Sequence, residues 1–478
     1  MGNRSVYKWS LIERITVALL NFGGNIALTR MLTTADFGLL AMIAIFTAVA
    51  FDISSCGMSD GLIHKSKPTP EDYSTTFIFN SAMGFFFGLA FFLGAPLVAG
   101  FFGHEELVAI MRILGVCFFI QTMSFVQETR LRKELKMREI CLVRVAATVS
   151  ALALGIVLAV MGMGYWALVS TQIFLSVFMF IYFVAATRWF PQLAFSRKSF
   201  NELFGYGVHL MLAYLATIIG KNINTFVLGK FYPSPSQSGV YSQGAKLANV
   251  PFAVTESSLN SPFFVVASNE EDCDRRRAMI RSMYGVISGI DSALMFFILA
   301  VAAPAIIFLY GSRWEDSIPI FRILAVFELL ACLKYYFQTV CKIYGRTSTV
   351  RNLTFVEIAV QLALLLGFYH KGIIWIAWTQ IGGVACTVTM YSLIYCRLTE
   401  LRRLDFLGDF LRPLLAPSLA CVVALVALRG LQQVMAVNAF LGCVFVTLVY
   451  GLVLVGVCEA VRPAYYLTVR SKLLKRKA

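Results

Sequence analysis

Apolar stretches of about 20 residues recur along this 478-residue chain, and they restrict its fold more than any other feature. A helix rises about 1.5 Å per residue, so about 20 residues cross a hydrocarbon core of about 30 Å. Because lipid offers the backbone no hydrogen-bond partners, each such stretch must be a helix. Hydrophobic residues make up 59% of the sequence and charged residues 14%, a balance far more apolar than that of soluble proteins. The chain is therefore predicted to be an all-α membrane protein.

Fourteen transmembrane helices are predicted from these stretches. Their expected positions are 7–29, 37–60, 77–100, 105–127, 141–161, 165–187, 204–229, 239–266, 281–303, 316–340, 350–369, 373–395, 412–429 and 437–459. Cytoplasmic loops carry an excess of Lys and Arg, and most basic residues here fall in connections on one face. The connections on the opposite face hold five: Arg30, Lys230, Arg313, Lys371 and Arg429. Both termini are therefore predicted to lie in the cytoplasm. The net charge of +15 is explained by membrane orientation and by attraction of the basic loops to anionic headgroups, not by nucleic-acid binding.

Three pairs of segments repeat in the same order along the chain, which indicates an internal duplication. The pairs are MLTTADFGLLA (31–41) with FYPSPSQSGVYS (231–242), FGHEELVAIMRILGVCF (102–118) with YGSRWEDSIPIFRILAVF (310–327), and GMGYWALVSTQI (162–173) with GIIWIAWTQI (372–381). An even number of helices separates equivalent segments, so the halves are parallel repeats, as in several transporter folds. The sequence predicts two six-helix bundles at 1–190 and 204–396 around a central cavity. A cytoplasmic linker at 191–203 joins them, and 397–478 adds two helices and a basic cytoplasmic tail.

Polar residues form stripes on helices that the repeat relates. Spacings of three and four residues place Lys221, Asn224 and Thr225 on one helical face. A charge at the bilayer centre costs at least about 2.5 kcal/mol, so such a face should contact water or a partner. The predicted cavity-lining, substrate-binding residues are Arg14, Asn21, Asn25, Lys221, Asn224, Thr225, Lys246 and Asn249. Three acids, Asp52, Glu256 and Asp291, are predicted either to couple transport to ions or to pair with the basic residues.

Structural ion pairs are the alternative for the two deep lysines. Lys221 can pair with Glu256, and Lys246 with Asp52, in which case the lysines hold helices together and do not bind substrate. The sequence leaves both interpretations open. Arg144, near the start of the fifth predicted helix, is interpreted as an anchor at the membrane interface.

No catalytic motif stands out in the sequence. It contains neither HExxH nor a P-loop, and the outer connections are too short to build an active site. The 11 cysteines are scattered and include no CxxC pair, so they are interpreted as small apolar residues, not metal ligands or a disulfide framework. We therefore expect no enzymatic activity, no metal site and no cofactor.

Four segments resemble one known family. They are ALTRMLTTADFGLLAMIAIF (27–46), DISSCGMSDGLIHK (52–65), ETRLRKELKMREI (128–140) and GMGYWALVSTQI (162–173). The chain resembles polysaccharide exporters of the Wzx type, the lipopolysaccharide and exopolysaccharide branch of the multidrug/oligosaccharidyl-lipid/polysaccharide flippase superfamily. The similarity extends over nearly the whole chain, and the turn after the first helix and the GYWALV stretch are its most specific parts.

The resemblance implies a flippase in the bacterial inner membrane. Such proteins move undecaprenyl-diphosphate-linked oligosaccharide repeat units of O-antigen, capsule or exopolysaccharide from the cytoplasmic to the periplasmic leaflet by alternating access. Their central cavity is cationic, which gives Lys221, Lys246 and Arg14 the charge to bind a diphosphate. The implied partners are the lipid-linked oligosaccharide, membrane lipids, and a polysaccharide polymerase with its glycosyltransferases. Proton or sodium coupling is the expected energy source.

Three other functions remain open at this point. A cation-coupled multidrug exporter of the same superfamily would favour an acidic cavity and twelve spans. A peptidoglycan-precursor flippase would share the fourteen helices and the cationic cavity. A non-transporting scaffold of a polysaccharide assembly complex belongs to a different class, and a transport assay would separate it from the others.

Overall fold

The structure is a computed structural model that describes residues 3–55, 58–65, 67–192, 194–232, 234–434, 438–461 and 466. Its α-helices are α1 (Asn3–Met31), α2 (Thr34–Ser55), α3 (Met58–His64), α4 (Pro70–Phe102), α5 (Glu106–Met123), α6 (Phe125–Lys133), α7 (Met137–Val160), α8 (Tyr165–Thr187), α9 (Arg197–Phe231), α10 (Pro235–Ser268), α11 (Cys273–Leu309), α12 (Ser317–Ile343), α13 (Thr347–Phe368), α14 (Ile373–Thr399), α15 (Arg403–Val434) and α16 (Ala439–Val461). Short 3-10 turns lie at Ser312–Trp314 and Tyr369–Lys371. These ranges contain no strand, and the all-α class is confirmed.

Eleven helices in this part of the chain are long and apolar enough to cross a membrane. The helices α5 and α6, which meet at Ser124, count together as one of them. Helices α9, α10 and α12 are not among the eleven, and each carries charged residues within its length. The number of fourteen spans therefore stays a prediction. One predicted span, 37–60, extends past the end of α2 at Ser55 into the short helix α3.

Contacts divide the chain into two compact units, Met1–Gly239 and Val240–Ala478. In the first unit α1 packs on α7, α4 on α5, and α7 on α8, while α9 packs on α2, α3 and α4. Its apolar core includes Met42, Ile110 and Val169. The predicted boundary between the six-helix repeats, at 191–203, does not coincide with the division into compact units. The repeat boundary stays a prediction, because repeat symmetry and compactness are different properties.

Small residues bring two helix starts of the first unit into reciprocal contact. A methyl group on Gly38, in the first turns of α2, would overlap the carbonyl oxygen of Pro235 at the start of α10. A methyl group on Gly239, in α10, would overlap the carbonyl oxygen of Thr34 at the start of α2. Glycine lets backbones approach closely, as small residues do where membrane helices pack. Each helix start therefore supplies the glycine that the other needs.

The connection between α3 and α4 is tied to α9 by an ion-pair cluster. The Lys65 ammonium lies 3.0 Å from a carboxylate oxygen of Asp72 and 2.9 Å from one of Glu202. Hydrogen bonds to Glu202 and Asp72 raise the pKa of Lys65 above its usual value, although burial acts in the opposite direction. Lys133 donates to the carbonyl oxygens of Ile63 and Lys65 at 2.6 and 2.5 Å. Ion pairs thus hold the start of α9 against the connection between α3 and α4.

The second unit contains most of α10 and the helices α11 to α16. Helix α12 packs on α11 and α14, α13 packs on α14, and α15 and α16 both pack on α11. One core surrounds Tyr284, Tyr336 and Tyr395. A second core is built from small residues such as Ala300, Ala420 and Ala424, which allow α15 to approach α11 closely.

Candidate functional site

Helix α9 places its predicted site residues in different environments. The Lys221 side chain is exposed and makes no hydrogen bond or ion pair with a described residue of its own unit. Asn224 is 0% exposed and Thr225 is 8% exposed, so both belong to the packed side of the helix. The neighbouring Asn222 amide donates to the Ile218 carbonyl oxygen at 2.9 Å. Of the three predicted site residues on α9, Lys221 is the exposed one in this structure.

Helix α1 carries two exposed polar residues of the predicted site, Arg14 and Asn21. Asn25, one turn further on, is half-buried, and its carbonyl oxygen accepts a bond from the Thr29 hydroxyl at 2.6 Å. Asp52 is half-buried near the end of α2. Because α1 packs along α7 while α9 packs along α2, the polar residues of the first unit lie on separately packed helices.

Arg144 on α7 joins two other helices of the first unit. Its guanidinium lies 2.9 Å from a Glu13 carboxylate oxygen on α1 and 2.6 Å from one of Glu128 on α6. Glu128 also pairs with Arg132 at 2.6 Å. These ion pairs show that Arg144 links α7 to α1 and α6, and its position at the membrane interface stays a prediction. Its partners are protein carboxylates, because folding brings α1 and α6 against the start of α7.

In the second unit α10 carries three predicted site residues. Lys246 is exposed and has no hydrogen bond or ion pair with a described residue of this unit. The Asn249 amide donates to a carboxylate oxygen of Glu328 on α12 at 3.1 Å. Glu256 is half-buried. Helix α10 thus exposes a cation in its N-terminal half and turns amide and carboxylate groups toward α12.

Asp291 on α11 is fully buried in the second unit, beside the Cys332 thiol of α12. Nearby, Lys334 pairs with Glu357 of α13 at 2.8 Å, and their side chains are 10% and 15% exposed. The Lys334 ammonium also lies 4.9 Å from the centre of the Tyr335 ring. The Glu357 carboxylate neutralises the charge of the buried Lys334 ammonium, so we assign this ion pair a structural role.

A cleft of about 550 Å³ lies between α10 and α12. Its α10 wall consists of Ala253, Glu256, Asn260 and Phe264. Its α12 wall consists of Tyr335, Gln338, Thr339 and Lys342. Of these eight residues, Glu256 is the one that belongs to the predicted site residues. The four cleft residues of α12 are spaced three, one and three residues apart, so they lie on one helical face. This spacing could have been recognised in the sequence.

No group of three or more His, Cys, Asp or Glu residues that could hold a metal ion occurs among the residues that the structure describes. The ten cysteines in this part of the chain are all free thiols. The eight predicted cavity-lining residues and the three acids are thus distributed over α1, α2, α9, α10 and α11. The structure adds the α12 wall of the cleft to them.

Comparison with known proteins defines the family. The sequence model of the family described as "Polysaccharide biosynthesis protein" matches residues 27–319, more than half of the chain. The chain belongs to this family. It is 22% identical over 329 residues to the teichuronic acid biosynthesis protein TuaB of Bacillus subtilis, covering 68% of each chain. It is 23% identical over 320 residues to the succinoglycan biosynthesis transport protein ExoT of Rhizobium meliloti, covering 66% of this chain and 64% of ExoT.

A third relative is the lipopolysaccharide biosynthesis protein WzxC of Escherichia coli, 22% identical over 331 residues, 68% of this chain and 66% of WzxC. The alignments thus span about two thirds of each relative. Among solved structures, the lipid II flippase MurJ superposes with a TM-score of 0.74 at 13% identity, covering 95% of this chain and 99% of MurJ. An inward-facing multidrug resistance MATE transporter of the MOP superfamily gives 0.62 at 16% identity, covering 80% and 96%. The resemblance to Wzx-type exporters is confirmed, and the protein has the fold of this superfamily.

Proposed function

We propose that this protein is a flippase that moves undecaprenyl-diphosphate-linked oligosaccharide repeat units across the bacterial inner membrane. The single observation that carries the proposal is the family match over residues 27–319. The relatives support it, since their names refer to teichuronic acid, succinoglycan and lipopolysaccharide biosynthesis. Transport runs from the cytoplasmic to the periplasmic leaflet by alternating access. The drug-exporter and peptidoglycan-precursor alternatives are supported by the shared fold alone.

The two exposed lysines supply the charge that such a substrate requires. A diphosphate is anionic and the glycan is polar, so both need a hydrated positive path, while the polyprenyl tail can stay in lipid. Lys221 and Lys246 lie exposed on helices of membrane-spanning length, without a carboxylate partner among the described residues of their own units. Lysine acts as a compact point charge, which suits a phosphate group that must be released again. Arg14, Asn21, Asn25, Asn224, Thr225 and Asn249 are the proposed polar supplements, and Asp52, Glu256 and Asp291 the proposed coupling or pairing acids.

The proposed topology follows from the same reasoning. Both termini are cytoplasmic, two six-helix bundles at 1–190 and 204–396 enclose the substrate path, and 397–478 adds two helices and a basic tail. The expected partners are the polymerase and glycosyltransferases that act on the same lipid-linked glycan. No cofactor is required, and protons or sodium ions are the proposed coupling ions.

The test is the double substitution Lys221→Ala with Lys246→Ala in a host that depends on this protein for its surface polysaccharide. Each charge-assisted contact contributes about 1.5–3 kcal/mol, so export should fall at least about tenfold. Lipid-linked oligosaccharide should accumulate in the inner membrane at normal protein levels. The matched control is Lys198→Ala, an exposed lysine near the start of the same helix as Lys221, which should leave export unchanged. Undiminished export by the double variant would refute the role of the two lysines.

A further inference from the structure

Asn260 in the α10–α12 cleft carries a buried amide oxygen that has no hydrogen-bond partner among the described residues. It lies in α10, is 8% exposed and lines the cleft. Its amide oxygen accepts no hydrogen bond from any residue in the described part of the chain. A buried acceptor left unpaired costs about 1–3 kcal/mol, and helix packing alone does not require an asparagine here. Asn260 therefore lines the cleft with an amide whose oxygen is left unpaired by the described protein groups.

The polar groups around Asn260 combine donors and acceptors on two facing walls. On α12, Gln338 supplies a second amide, and the Thr339 hydroxyl donates to the Tyr335 carbonyl oxygen at 3.0 Å, which leaves the hydroxyl oxygen free to accept. Glu256 supplies carboxylate oxygens on the α10 wall. A hydroxyl group both donates and accepts, so walls with amides, a hydroxyl and a carboxylate suit a ligand rich in hydroxyl groups.

An aromatic ring completes the cleft. The Tyr335 ring lines the α12 wall, and the Lys334 ammonium lies 4.9 Å from its centre. Because Lys334 is itself fixed by Glu357 at 2.8 Å, the ring is held in place by an interaction outside the cleft. The face of an aromatic ring is electron-rich and attracts the weakly positive C–H groups of an apolar ligand surface. A pyranose offers that surface on one face and hydroxyl groups around its edge.

The charge of the cleft is mixed. Glu256 lies on one wall, and Lys342, one residue before the end of α12, lies on the other. An organic cation would favour carboxylates and aromatic rings without a lysine, whereas a neutral or acidic sugar tolerates both charges. The volume of about 550 Å³ falls within the range of about 300–1,000 Å³ that small-ligand sites occupy.

We infer that the α10–α12 cleft binds sugar residues of the transported glycan. This inference rests on the proposed function and assigns the glycan to the second unit. The proposed diphosphate contacts are Lys221 and Lys246, which do not line the cleft. The site would recognise hydroxyl groups through Asn260, Gln338 and Thr339, and one sugar face through Tyr335.

The experiment measures binding to the full-length protein in lipid nanodiscs. The probes are the lipid-linked oligosaccharide extracted from membranes of the host, the same material trimmed enzymatically to its first sugar, and tetraphenylphosphonium. The principal variant is Asn260→Leu. A second variant, Thr339→Val, covers the case in which the first does not fold. Its matched control is Thr389→Val on α14, because the Thr389 hydroxyl likewise bonds the carbonyl four residues earlier, at 2.8 Å, but lies outside the cleft.

Asn260→Leu should weaken binding of the full-length glycan about tenfold and change binding of the trimmed form less than about twofold. Thr339→Val should act in the same direction, and Thr389→Val should have no effect. Equal loss for both forms, or no loss for either, would overturn the sugar site while leaving the flippase proposal intact. If the wild-type protein binds neither lipid-linked form, the proposed function itself fails. Binding of tetraphenylphosphonium that depends on Asn260, without glycan binding, would replace the sugar site by an organic-cation site.

Discussion

Removing Arg144 should destabilise the protein by leaving a carboxylate without its partner. Arg144 lies 2.9 Å from Glu13 and 2.6 Å from Glu128, and Glu128 keeps Arg132 when Arg144 is lost. Glu13 has no other ion pair among the described residues, and its side chain is 12% exposed. The substitution Arg144→Met retains most of the aliphatic length of the side chain, so the main change is the loss of charge.

The magnitude follows from burial. Two unit charges about 4 Å apart attract by about 4 kcal/mol at an effective dielectric constant of about 20. Breaking a fully buried pair by removing one partner costs about 3–5 kcal/mol. The Arg144 and Glu128 side chains are 28% and 19% exposed, so water screens part of this interaction. We expect Arg144→Met to lower the free energy of unfolding by about 2–3 kcal/mol.

The assay is reversible unfolding of the detergent-solubilised protein, with a double-mutant cycle. Adding Glu13→Gln to Arg144→Met removes the stranded carboxylate and should restore at least about 1 kcal/mol. The control is Arg138→Met on the same helix, whose exposed side chain lies 5.8 Å from the Trp9 ring and has no ion pair in the described residues. It should change stability by less than about 0.5 kcal/mol. If Arg144→Met equals the control, or if Glu13→Gln brings no recovery, the buried network does not stabilise the fold.

Two further predictions concern backbone contact and pH. Gly38→Ala should lower the free energy of unfolding by about 1–3 kcal/mol, because the added methyl group overlaps the Pro235 carbonyl oxygen. Gly94→Ala is the control and should not destabilise the protein, because open space surrounds Gly94. Equal midpoints of thermal unfolding for the two variants would contradict this prediction. Lys65→Met should lower the midpoint of thermal unfolding by the same amount at pH 7 and at pH 9. Because the pKa of Lys65 is raised by Glu202, its stabilising charge is fully present below its usual pKa and is lost only as the pH rises through the raised value. A loss that disappears by pH 9 would show that Lys65 is not held charged.

The helices were predictable because their cause is local. Length and apolar composition decide whether a segment spans a membrane, and each predicted span falls largely within an observed helix. The division of one predicted span at Ser124 was not visible, since the predicted span 105–127 continues across it and no Gly or Pro stands beside the break. Lys221 and Lys246 were recognisable as unusual from their position alone, and both are exposed in the structure.

The partners of charged residues were not predictable, because they depend on which helices become neighbours. The sequence shows Lys334 and Glu357 as isolated charges, and their ion pair exists because α12 packs against α13. The same holds for Arg144, whose carboxylate partner Glu13 lies on a helix distant in sequence. The cleft beside Tyr335 has a similar origin, since a single polar face of α12 does not reveal which helix will form the opposite wall.

The reciprocal contact between the starts of α2 and α10 has the form of an isologous interface. In a two-fold homodimer, residue i of one copy meets residue j of the other, and j meets i. Gly38 stands four residues after Thr34, as Gly239 stands four residues after Pro235, and each glycine meets the first residue of the opposite helix. One polypeptide thus contains a contact that two copies of a half-length chain could make with each other. A homodimer must place the same residue at both helix starts, whereas this chain begins one helix with threonine and the other with proline.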